Sequence, residues 1–186
     1  MDLRGAGEGP PGRYNRPMLL ERPKGTVLTA VTMAAIAFSA GVYAILGFFN
    51  NLLTPFTIID LEFAGTAARL SEMVAVWGQA GVDAAQQSLY LDFAFIPCYV
   101  LAFSGLTLLV ARSASGAWQR AGLVVVWFPV VAGVLDVTEN VSLLMSLPSG
   151  SGALPVAAVC AGVKFLLLAV TLGFVIVALI RKVFSR

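Results

Sequence analysis

The chain has 186 residues, 59 % of them apolar and 12 % charged, and a net charge of +2. A soluble domain carries about 25 % charged residues, so a chain this apolar is expected to use a bilayer as its solvent. So small a net charge gives no basis for nucleic-acid binding. The absence of histidine excludes His-ligated haem, His-based zinc sites and His general bases. The two cysteines, Cys98 and Cys160, form no CxxC pair, and both read as small core residues inside spans.

Residues 1–24 are rich in Gly, Pro and Arg, a composition that builds no core and predicts a disordered tail. The apolar run over 26–49 is longer than the roughly 7–15 residues of a signal-peptide core and predicts the first transmembrane helix. Residues 50–88 form the one long connection. Within it, Phe63, Leu70, Met73, Val74 and Trp77 recur at helical spacing. They predict one amphipathic helix from Asp60 to Trp77, lying on the membrane surface or folded back over the bundle mouth. Thr57-Ile-Ile-Asp60 reads as its capping box, with Asp in the usual Glu/Gln place. Gly78 and Gly81 are expected to end this helix, and a polar stretch over 83–88 leads onward.

Three more spans are expected at 89–111, 121–147 and 153–180. A short basic link over 112–120 and an uncharged Ser-Gly turn over 149–152 join them, so neighbouring helices run antiparallel. The fold class is therefore all-α: a four-helix transmembrane up-down bundle over 25–182, followed by a short end at 183–186. Pro97 is expected to kink the second span and Pro129 the third. Ala158 and Gly162 form a small-xxx-small pair that could seat a close helix contact. Asn140-Val-Ser142 matches a glycosylation sequon, but it lies at the end of a span.

Orientation follows from the basic residues. Arg4, Arg13, Arg16, Arg22, Lys24, Arg112, Arg120, Arg181, Lys182 and Arg186 all fall on one side of this topology. The other side carries Arg69 among the acids Asp60, Glu62, Glu72 and Asp83. The positive-inside rule puts both termini in the cytoplasm of a plasma (inner) membrane.

Charges inside the spans are costly and point to a site. At about 1.5 Å per residue, Asp136 lies about 24 Å above Arg120, and Lys164 lies about 25 Å above Arg181. These opposite charges are level on consecutive helices. Glu139 and Asp92 come slightly higher, so all four occupy the outer third. Asp136, Glu139 and Asn140 share one face of the third span, which Gly133 continues and where it is expected to let a neighbouring helix approach. Asp92 and Tyr99 share a face of the second. The expectation is an outward polar pocket walled by Asp92, Tyr99, Asp136, Glu139, Asn140 and Lys164 and capped by Glu62. Lys164 and Asp136 make the internal ion pair.

Leu91-Asp92-Phe93-Ala94-Phe95-Ile96-Pro97-Cys98-Tyr99 and Asp136-Val-Thr-Glu139-Asn140 resemble the LDFxFxxxY and DxxEN motifs of a group of uncharacterised bacterial four-span integral membrane proteins. Leu61-Glu62-Phe63-Ala64 and Trp77-Gly78 are similar too. The resemblance covers roughly residues 55–145. It implies the four-span fold and a bacterial membrane, and it carries no activity.

Three functions fit these residues. The first is an interaction, scaffold or accessory protein whose polar group fixes packing or docks a partner membrane protein. The second is an enzyme acting on a lipid or isoprenoid, with Asp92, Asp136 and Glu139 as acid/base groups or as hard-oxygen ligands to a divalent cation. The third is a proton- or cation-coupled carrier, which as four helices would need to be a homo-oligomer. The uncharged inner half speaks against this last reading.

Overall fold

The computed structural model describes residues 17–150 and 152–184. Residues 1–16, most of the expected N-terminal tail, lie outside that range, as do Ser151 of the Ser-Gly turn and the last two residues. Every element within it is an α-helix. In chain order these are α1 (Met18–Glu21), α2 (Gly25–Asn51), α3 (Ile58–Glu62), α4 (Ala67–Ser113), α5 (Gly116–Val125), α6 (Phe128–Ser149) and α7 (Leu154–Phe184). Four helical stretches are long and apolar enough to cross a membrane: α2, α4, α5 with α6, and α7. The all-α four-span bundle expected from the composition is the fold.

α4 is the hub: it packs against α2 on one side and against α6 and α7 on the other, and α6 packs in turn on α7. No comparable seam joins α2 to α7. Small residues set the close approaches. A methyl group added at Gly133 of α6 would lie 2.7 Å from Val100 Cγ2 on α4, and one at Gly105 of α4 would collide with Thr32 of α2. The expectation for Gly133 is therefore met. That for Ala158 and Gly162 is not: Gly162 is exposed with open space around it. The adjacent stripe, Ala157 and Ala161, is fully buried instead. Cys98 is only half-buried, whereas Cys160 is buried, so the core reading holds for one cysteine of the two.

The connection between α2 and the bundle differs from a single surface helix. It contains two helices, α3 and the first turns of α4, separated by a bend over 63–66. Each start is capped. Thr57 Oγ1 accepts from the Asp60 backbone N–H, and Asp60 Oδ2 accepts from the Thr57 backbone N–H at 2.8 Å, a complete capping box. Thr66 Oγ1 accepts from the Arg69 N–H. With a second N-cap, Thr66, nine residues after Thr57, one continuous helix cannot form. Gly78 does not end the next helix either. It takes φ 60° and ψ −169°, open only to glycine, and redirects a helix that resumes at once and continues to Ser113. The polar stretch over 83–88 is thus helical. Gly81 sits beneath the Trp77 side chain.

This connection folds over the bundle mouth. Leu53, Leu61, Leu70, Met73 and Trp77 pack with Leu89, Leu143, Leu147 and Leu154 in one buried cluster. Trp77 Nε1 donates to the Leu53 carbonyl at 2.7 Å, tying the start of the connection to its end.

The two prolines differ: the third span is interrupted beside Pro129, as expected, and Pro97 stands within a helix. α4 runs through Pro97, and its non-helical backbone is at Gly78. The third span breaks at Val126–Trp127, with Pro129 in the first turn of α6, where its missing N–H costs least. The Ser104 hydroxyl donates to the Val126 carbonyl at 3.0 Å, satisfying a group that the break would leave bare in hydrocarbon. At the end of the bundle holding the chain termini, the link after α4 is shorter than expected, since α5 begins at Gly116. Residues 17–24 are structured there: Arg112 donates to the Leu19 carbonyl through Nε (3.0 Å) and Nη2 (2.7 Å), and to the Pro23 carbonyl through Nη1 (2.7 Å). Gly150 closes α6 in the left-handed conformation, its N–H donating to the Ser146 carbonyl.

Candidate functional site

Beneath α3, the mouth of the bundle gathers every residue expected in the polar pocket. Lys164 of α7 is its centre. Its Nζ lies 2.8 Å from Asp136 Oδ1, 2.9 Å from Glu139 Oε2 and 3.6 Å from Glu62 Oε2. The Tyr99 hydroxyl donates to Asp136 Oδ2 at 2.9 Å, so both oxygens of Asp136 are engaged. Asn140 Nδ2 donates to Asp92 Oδ2 at 2.7 Å. The Lys164 ring contact is with its neighbour Phe165, 4.9 Å from Nζ to the ring centre.

Helical spacing explains the convergence. Asp136, Glu139 and Asn140 project from one side of α6 toward the seam with α4 and α7. Tyr99 lies seven residues below Asp92, two turns down α4, which brings its hydroxyl level with Asp136 rather than Asp92. Glu62 closes α3 and drops onto Lys164 because two contacts hold that short helix in place. One is the capping box. The other is Asn50, whose Oδ1 accepts from the Ile58 N–H at 3.0 Å.

Compensation is incomplete. Four carboxylates surround one ammonium. Glu139 is fully buried, yet neither of its oxygens makes a hydrogen bond; its approach to Lys164 is an ion pair only. Glu62 Oε2 is likewise buried without a hydrogen-bond partner. Burial pushes the Glu62 carboxyl up to about 7, against the pull of Lys164 and with the help of Asp136 and Asp92. Asp60, one turn before it, moves the other way, held down by the Thr57 hydroxyl and N–H. Among the described residues, no group of three or more His, Cys, Asp or Glu is arranged to hold a metal ion. The position between the carboxylates belongs to Lys164.

Beside this network is a cavity of about 240 Å³. Its polar wall is Glu62, Asp92, Asp136, Asn140 and Lys164. Its apolar wall comes from α2 and α7, through Tyr43, Leu46, Gly47, Phe165 and Leu168. Tyr43 and Phe165 are exposed at the rim, where α2 and α7 share no packed seam. Tyr43, Phe95 and Phe165 bring aromatic rings into the same cavity as these acids. Phe95 shares the face of Asp92 and Tyr99 by spacing, but neither Tyr43, Phe165 nor Asn50 is singled out by charge or spacing. Tyr43 and Phe165 sit in uniformly apolar runs, and Asn50 reads only as a loop opener. The chain matches no family model, no curated protein and no solved structure.

Proposed function

We propose that this chain is a small multi-pass binding protein of a bacterial inner membrane, of the accessory or scaffold kind. Its termini would be cytoplasmic and its pocket would open at the outer face. The observation that carries this reading is the cavity of about 240 Å³, polar on one wall and apolar on the other, between two helices that do not pack together. A cavity of that character suits an amphipathic molecule whose head rests against Glu62 and Asp92 and whose tail leaves between α2 and α7 into the bilayer. The Lys164 network then has a structural task. It holds α4, α6, α7 and α3 in register and keeps the polar wall in place. The motifs shared with bacterial four-span proteins supply Asp92, Tyr99, Asp136, Glu139 and Asn140, so proteins bearing both motifs would carry the same network.

Native mass spectrometry of the chain released from lipid nanodiscs tests this reading. The wild-type chain should retain a bound amphiphile. Gly47→Trp, which fills the cavity from a position with open space around it, should lose it while melting at the same temperature. Equal occupancy in the two proteins would rule the cavity out as the binding site.

A further inference from the structure

We infer that the cavity selects a cationic amphiphile, an alkylammonium with one long apolar chain, over neutral and anionic amphiphiles of the same length. The inference rests on the binding role proposed above and adds the sign of the ligand's charge.

Three observations carry it. First, the single cation of the network is already matched: Lys164 Nζ lies within 3.6 Å of Glu62, Asp136 and Glu139. An anionic head would have to displace one of those carboxylates and would meet the others. Second, negative charge is left over. Glu139 is fully buried and its Oε1 has no partner, and Glu62 Oε2 is buried with no hydrogen-bond partner. Asp92 has Asn140 as its partner and no cation within ion-pair distance among the described residues. Uncompensated charge in a low-dielectric site calls for a counter-charge. Third, Tyr43, Phe95 and Phe165 line the same cavity as Glu62 and Asp92. Aromatic rings beside acids are the arrangement that binds a poorly hydrated ammonium, with the cation within about 6 Å of the ring centres. The gap between α2 and α7 takes the chain.

The test uses the full-length protein in nanodiscs and three probes below their micellar concentrations: dodecyltrimethylammonium, dodecanol and dodecyl sulfate. Calorimetric titration should show dodecyltrimethylammonium binding at least about tenfold tighter than dodecanol, with no measurable binding of dodecyl sulfate. Glu62→Gln and Asp92→Asn each keep the shape of the site and remove a carboxylate from it, and circular dichroism checks that each variant is folded. Each should cut the ratio of ammonium to dodecanol affinity several-fold. Equal affinity for the ammonium and the alcohol would overturn the inference while leaving the pocket intact. So would a preference that survives the Glu62→Gln/Asp92→Asn double variant. If none of the three probes binds, the binding role itself fails and the inference with it.

Discussion

Lys164 Nζ and Asp136 Oδ1 meet at 2.8 Å across the α6–α7 seam, with the Tyr99 hydroxyl on the other oxygen of Asp136. One contact therefore ties together the three helices that form the body of the bundle. Removing the cation strands the buried Asp136 and Glu139 and leaves Glu62 without its ion pair, at a cost of about 3–5 kcal/mol for a broken buried pair. Lys164→Met is expected to lower folded yield sharply and the melting temperature in detergent by well over ten degrees. Adding Asp136→Asn and Glu139→Gln to Lys164→Met should recover most of that loss, because the stranded charges go with the cation. A triple variant as unstable as Lys164→Met would contradict this explanation.

Tyr99→Phe removes one buried hydrogen bond to a charged acceptor and keeps the ring. The expected loss is about 1.5–3 kcal/mol, read from the denaturation midpoint. A neutral result would mean that the hydroxyl contributes nothing to the position of Asp136.

Gly133→Ala tests the close approach of α6 to α4. The new methyl would lie 2.7 Å from Val100 Cγ2, and overpacking of this kind costs about 1–3 kcal/mol. Pairing it with Val100→Ala should restore stability. Gly162→Ala, which meets open space, is expected to be neutral within about 0.5 kcal/mol and serves as the control.

Much of this was legible in the sequence because it follows from one-dimensional distances. Asp136 and Lys164 are equally far from the basic residues that end their helices, and helices of equal rise put them side by side. Asp136, Glu139 and Asn140 share a face by spacing alone, and the Thr57–Asp60 capping box is written in four residues. What could not be read depends on the third dimension. Periodicity runs without interruption through Phe63 and Leu70, so the Gly65–Thr66 bend between α3 and α4 is hidden. Gly78 reads as an end, yet it only redirects a helix that continues to Ser113. Arg112 counts only as a positive charge in the sequence. Its three hydrogen bonds to Leu19 and Pro23 join residues far apart in the chain and leave no local signal. Phe95 shares the face of Asp92 by spacing, but its meeting with Tyr43 and Phe165 is invisible for the same reason.

Glu62 gives the mouth a pH dependence. Its carboxyl is raised from the ordinary 4.5 to about 7, so burying α3 against the network is costless below the unfolded value and increasingly costly as the group ionises. Docking of α3 should therefore weaken as pH rises from about 4.5 through 7, by an amount on the order of a few kcal/mol at most. The groups facing Glu62 are Lys164 on α7, Asp136 and Glu139 on α6, and Asp92 on α4. Asp60 titrates below this window, because its partners lower it. Amide hydrogen exchange over 58–62 should be slower at pH 5 than at pH 8 once corrected for the intrinsic rate, and Glu62→Gln should abolish the difference. Protection that increases with pH would contradict the sign.

The most direct measurement is a structure of the nanodisc-embedded chain bound to dodecyltrimethylammonium carrying a bromine at its tail end. The expected result places the nitrogen beside Glu62 and Asp92, within about 6 Å of the Phe95 or Phe165 ring, with the bromine between α2 and α7. A ligand seated elsewhere, or a cavity left empty while the bromine decorates only the outer surfaces of α2 and α7, would contradict the pocket, its opening and its charge preference together.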